Sequence, residues 1–117
     1  MAKTLFILND APYGSERSYN ALRLAGALSK RHDEEVKLFL VGDAASCAKA
    51  HQKVPSGFYN VELMLHGIAK RGAEAGVCGT CMDARGITEA ELAEGTTRGT
   101  LDQLADWTMW ADKTLVF

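Results

Sequence analysis

Cys78-Gly-Thr-Cys81 follows the apolar run Ala73 to Val77 and is itself followed by Arg85-Gly86. A thiol reacts as its thiolate, and a thiol pKa falls beside cations, at helix starts or within a Cys-x-x-Cys pair. Cys78 has a second cysteine three residues on and Arg85 seven residues on. Gly79 and Gly86 let the backbone bend around it and turn N–H groups inward as an anion nest. Such a site suits a thiolate or a persulfide anion. A lone cysteine reads as a small buried hydrophobe, but a pair at a strand exit weighs toward chemistry. Cys81 is then a resolving thiol, a second ligand or a packing residue. A thioredoxin-type motif opens a long helix, whereas this pair meets Gly86 within five residues. Structural zinc takes four ligands. The chain has no second Cys-x-x-Cys and its histidines (His32, His51, His66) are scattered, so neither a metal within the chain nor an organic cofactor is expected.

Other residues can border such a thiol. Asn9-Asp10 and Gly42-Asp43 close two apolar runs and, in a parallel sheet, share an edge with Cys78. Tyr13 and Ser15 follow the first of these exits; Tyr13 equally serves as a turn aromatic and Ser15 as a helix cap. His51 and Lys53 open a loop after the second and can supply an acid, a base or a cation, or remain solvated. Cys47 stands among alanines and reads as packing. Trp107 and Trp110 suit either a subunit contact or the core. Asp102 and Asp106 suit a solvated face.

The elements that carry these residues alternate. Thr4 to Leu8, Val36 to Val41, Ala73 to Val77 and Lys113 to Phe117 read as strands, the first wholly apolar after its first residue, as in strands covered on both faces. Between them lie helical patterns. Ser15 caps one running to about Arg31, with Leu22, Ala25, Gly26 and Leu28 as its stripe. Asp43 caps a short Ala-rich helix through Ala50. Val61, Met64, Leu65 and Ile68 form a third stripe, closed by Gly72. Thr88-Glu-Ala-Glu91 is a capping box for a short helix reaching Glu94-Gly95. Thr100 caps a last helix with Leu101, Leu104, Ala105 and Thr108 on one face. Only residues 52 to 60 look like a mobile loop. Alternation of this kind predicts an α/β fold, a parallel sheet with helices on both faces and a site beyond the carboxyl ends of the strands.

Composition bounds the function. At 117 residues with 47% hydrophobic side chains, the chain is read as a single domain, 1–117, with one core. A formal charge of -2 leaves no basic stripe for nucleic acid. No apolar run approaches the roughly 18 residues of a membrane span. The N-terminal apolar stretch is too short for a signal peptide and runs into Asn9-Asp10, so the expected compartment is the cytoplasm.

Several segments resemble one family in order and spacing. They are Asn9-Asp-Ala-Pro-Tyr-Gly-Ser-Glu16, Leu38-Phe-Leu-Val-Gly-Asp43, Gly57-Phe-Tyr-Asn60, Cys78-x-x-Cys81-x-Asp83-x-Arg85-Gly-Ile87, Gly99-Thr-Leu101 and Ala111-Asp-Lys113. Together they resemble the DsrE/DsrF-like family, and within it the YchN-like branch, along essentially the whole chain. The resemblance implies a doubly wound, mostly parallel sheet of about five strands and assembly into homotrimers or homohexamers. It also implies that Cys78, by its position, carries sulfur as a persulfide between donor and acceptor proteins. Cys81 belongs to the YchN-like pattern but not to every relay protein. Two other functions stay open at this point: a Cys78/Cys81 thiol-disulfide switch, and an oligomeric binding module without enzymatic activity.

Overall fold

The computed structural model describes residues 1–117. Five strands, β1 (Ala2–Leu8), β2 (Glu34–Leu40), β3 (Glu74–Cys78), β4 (Thr96–Gly99) and β5 (Lys113–Val116), form one sheet in the order β4-β3-β2-β1-β5. Every pairing is parallel, which bears out the expected, mostly parallel sheet of about five strands. Leu8 pairs with Leu40 and Leu40 with Val77. The ends of β1, β2 and β3 therefore lie side by side, as the alternation of elements required.

Strands β1 to β4 are laid down successively in one direction, and the last connection returns past them to β5. Right-handed crossovers then put the early helices on one face and the last helix on the other. Alternate residues of the central strands divide accordingly. Phe6, Leu8, Leu38, Leu40 and Val77 enter the main core with α1 (Arg17–Ser29) and α2 (Val61–Lys70). Leu5 and Phe39 enter a smaller one under α4 (Leu101–Trp110), where Trp107 sets its ring edge-on to Phe39 at 5.9 Å and 87°. The ammonium of Lys37 lies 4.9 Å from the Trp107 ring and 4.7 Å from that of Trp110.

Four local expectations change. The segment after β2 is a 3₁₀ helix, Gly42–Ala48, entered from Val41 without a side-chain cap; Ala44, Ala45, Cys47 and Ala48 are all fully buried, and packing rather than an Asp43 cap holds it. Helix α1 begins at Arg17 with Glu16, not Ser15, in the cap position; one residue earlier, the Ser15 hydroxyl donates to the Asp10 carboxylate and accepts the Arg17 N–H at 3.3 Å. On α4 only Trp107 is buried, with half-buried Leu104 beside it, while Leu101, Ala105 and Thr108 face outward; burying the large indole rotates the helix away from the expected stripe. The Thr88/Glu91 capping box forms, but it closes a single 3₁₀ turn, Glu89–Glu91.

Gly95, before β4, has φ +94, and a Cβ there would lie 2.6 Å from the Ala69 Cβ of α2. A positive φ and a clash with a helix that cannot give way act in the same direction. Gly95→Ala is expected to cost about 1–3 kcal/mol, measured as a lowered urea midpoint with unchanged slope.

Candidate thiol site

Cys78 ends β3 and occupies the N-cap position of a six-residue helix, α3 (Gly79–Ala84). Its sulfur accepts the Cys81 N–H at 3.4 Å and lies 3.4 Å from the Thr80 hydroxyl. One turn on, Cys81 packs against the main core, and its sulfur accepts the Gly42 N–H at 3.1 Å. The exits of β2 and β3 are thus joined through a thiol.

The two thiols are driven apart in acidity. Burial raises Cys78, but hydrogen bonds from the Cys81 thiol, the Thr80 hydroxyl and their backbone N–H groups outweigh it, and the net direction is down. Burial and the hydrogen bond shared with Cys78 push Cys81 up, against the Gly42 N–H and the Arg85 charge. Cys47 is pushed up to about 12, chiefly by burial. Reactivity follows the thiolate fraction, so alkylation by iodoacetamide is expected in the order Cys78, Cys81, Cys47. The rate should rise with pH in each case, and for Cys78 the rise should come at the lowest pH. Peptide mapping of a time course at several pH values checks the order.

Beside Cys78 lies a cavity of about 380 Å³. Phe39, Val41, Leu101 and Leu104 make its apolar wall, and Thr80, Arg98 and Thr100 its polar one. Arg98 comes from β4, where Val77 pairs with Arg98 and Cys78 with Gly99. Its guanidinium forks onto the Asp83 carboxylate at 2.9 and 3.0 Å. Arg98 is not marked in the sequence, because Thr96-Thr-Arg-Gly99 has no apolar alternation. The available signal was the need for one more strand between the capping box and the Thr100 cap.

Arg85, expected to act on Cys78, turns elsewhere. It donates to Asp43 Oδ1 at 2.8 and 3.3 Å and to the Cys81 carbonyl at 3.1 Å. Asp43 and Arg85 therefore brace the two strand exits, with Cys81 between them. Tyr13, Ser15, His51 and Lys53 do not line the Cys78 cavity. The Tyr13 hydroxyl donates to Gln52 Oε1 at 2.6 Å and accepts the Val61 N–H at 3.0 Å, tying the 52–60 loop to α2. His51, with φ 67, and Lys53 are exposed, and their side chains make no hydrogen bond. No three His, Cys, Asp or Glu side chains converge to hold a metal ion.

Comparison with known proteins gives this thiol pair a context: the DsrE/DsrF-like family matches residues 2–117. The chain belongs to the DsrE/DsrF-like family. It is 42% identical to YchN of Escherichia coli over 118 residues, spanning the whole of both chains, and the crystal structure of that protein superposes with a TM-score of 0.94. An uncharacterised protein of Methanopyrus kandleri, MK0008, is 36% identical over 111 residues, covering 95% of this chain and 90% of the relative. MTH1491 of Methanobacterium thermoautotrophicum, a protein of unknown function at 8% identity and a TM-score of 0.75, shares the fold. The DsrE/DsrF-like family is sulfur-relay related, and no helix of this member is long and apolar enough to cross a membrane.

Proposed function

We propose that Cys78 is a sulfur carrier that accepts sulfane sulfur as a persulfide and passes it to a partner thiol. The observation that carries this reading is the acidified, half-buried thiol at the β3 exit, opening on a cavity with apolar walls and one cation. In the first step the Cys78 thiolate attacks the outer sulfur of a donor persulfide. A new S–S bond forms at Cys78, the donor S–S bond breaks, and the donor leaves as a thiolate. In the second step an acceptor thiolate attacks the outer sulfur on Cys78, and Cys78 departs as a thiolate. Sulfur and charge are conserved without an external oxidant, metal or organic cofactor. The donor and acceptor are proteins that present a cysteine to the cavity mouth. Assembly as a homotrimer or homohexamer suits the α4 side, where Leu101 and Met109 are 78% and 87% exposed.

The test is intact mass after incubation with a persulfide donor. A gain of about one sulfur atom, removed by a reductant, supports the carrier.

The hydrogen bond between the two cysteines favours a second reading, a Cys78–Cys81 disulfide switch. Its mark is loss of two hydrogens under mild oxidant with no gain of sulfur.

A further inference from the structure

We propose that Arg98 is the positioning residue of the thiol site, its guanidinium held by Asp83 across Gly79 as the fixed countercharge for the sulfur anion on Cys78. The thiolate part of this inference stands on geometry alone; its extension to the persulfide rests on the carrier reading.

Three observations place the cation there. Arg98 and Cys78 line the same cavity from adjacent strands. The guanidinium lies so close over the residue after Cys78 that a Cβ on Gly79 would stand 2.8 Å from its Cζ and Nε. Glycine there leaves room for the guanidinium in this position, and a Cβ would push it aside. The fork onto Asp83 takes two of five guanidinium donors, and Arg98 donates to no other protein group, so three N–H groups remain free. Arg85, by contrast, spends its donors on Asp43 and the Cys81 carbonyl.

The charge acts across a boundary of low polarity. Buried Phe39 and half-buried Val41 and Leu104 make one side of the cavity apolar, which strengthens the attraction of the sulfur to a cation. Arg98 is itself raised, first by its hydrogen bond to Asp83 and least by Cys78, while the lowering of Cys78 comes from Cys81 and Thr80, so the role of Arg98 rests on the geometry. The ionisable groups around the sulfur are Cys81 and Asp83 on α3, Arg85 at its C-terminal cap, Asp43 after β2 and Arg98 on β4. Glu89 acts on Arg98, and Asp102 on the first turn of α4 is exposed. Arg98 is the one cation among them that lines the Cys78 cavity. A persulfide formed on Cys78 would extend its outer sulfur into that cavity, where the free N–H groups can orient it toward the mouth.

The experiment follows alkylation of Cys78 by iodoacetamide against pH in the full-length protein, for wild type, Arg98→Gln, Arg98→Lys and Gly79→Ala. Arg98→Gln is expected to slow alkylation at pH 7 by about tenfold and to move the pH–rate curve upward, with Arg98→Lys restoring most of the loss. Gly79→Ala should shift the curve in the same direction while Arg98 is still present, because the new Cβ displaces the guanidinium. Gly79→Ala also serves as the test if Arg98→Gln fails to fold. Superimposable curves for wild type and a folded Arg98→Gln or Gly79→Ala would overturn the inference, as would failure of Arg98→Lys to restore any part of the loss. If wild type gains no sulfur from a persulfide donor, the carrier reading falls, whereas the alkylation curves still decide the role of Arg98.

Discussion

Cys78→Ser is expected to take up no sulfane sulfur while keeping its fold. A serine hydroxyl at neutral pH has neither the ionisation nor the polarisability of a thiolate, so the first S–S bond cannot form and the loss is complete rather than partial. The structural cost is small because the lost hydrogen bonds are weak contacts to sulfur at 3.4 Å. Serine is also a favoured N-cap residue and can accept the Cys81 N–H at the start of α3. Stability is therefore expected within about 0.5 kcal/mol of wild type. Cys81→Ala separates the roles of the pair: it should still load sulfur, but more slowly at neutral pH, since Cys78 loses a thiol that donates to it. Intact mass of the three proteins after identical loading is the measurement. Sulfur on the Cys78→Ser protein would remove Cys78 from the chemistry.

Phe39→Ala has the largest expected effect on stability. Phe39 is 1% exposed and forms the smaller core with Leu5 and Trp107. Its ring also lies against two glycines: a Cβ on Gly76 would meet it at 3.0 Å, and one on Gly99 at 2.9 Å. Neither neighbour has a side chain to move into the space, so the void stays open and its full cost is felt. The expected loss is about 3–5 kcal/mol, read from urea unfolding followed by Trp107 and Trp110 fluorescence. Because Phe39 also walls the Cys78 cavity, sulfur loading should fall in the folded fraction as well. A loss under about 1 kcal/mol would mean that α4 collapses onto the sheet, and that this core is not packed as described.

Much of this architecture was legible because its signals are chemical and local. The strands around Phe6, Phe39 and Val77 are apolar runs, helix α2 carries its stripe in phase, and Gly72, just past its end, adopts φ +103. Parallel pairing followed from alternation, and with it the shared edge where Cys78 stands. What stayed hidden depends on partners remote in sequence. Strand β4 buries only Thr96 and Gly99, and its hydrogen bonds to β3 make it a strand where its composition does not. Arg98 drew no notice because its interest arises only when β4 sets it beside Cys78. Arg85 drew notice through proximity in sequence, yet a helical turn after Cys81 aims it at Asp43. Tyr13, Ser15, His51 and Lys53 follow strand exits as expected, but the chain turns them toward the 52–60 loop, Asp10 and solvent.

The pairing of β1 with β5 also governs how fast the chain can reach this state. Thr4 pairs with Lys113, and the Lys3 N–H bonds the Asp112 carboxylate across 109 residues of sequence. Closing so long a loop costs entropy before the strand ladder gives anything back, which slows folding toward about the millisecond-to-second range of non-local topologies. Until that closure, the flank of β1 carrying Leu5 to Leu8 is an unpaired apolar edge, the kind that recruits a strand from another molecule. The stacking of Phe117 on Phe6, at 6.0 Å and 19°, latches that edge shut, so the window for misassembly closes when the last strand docks.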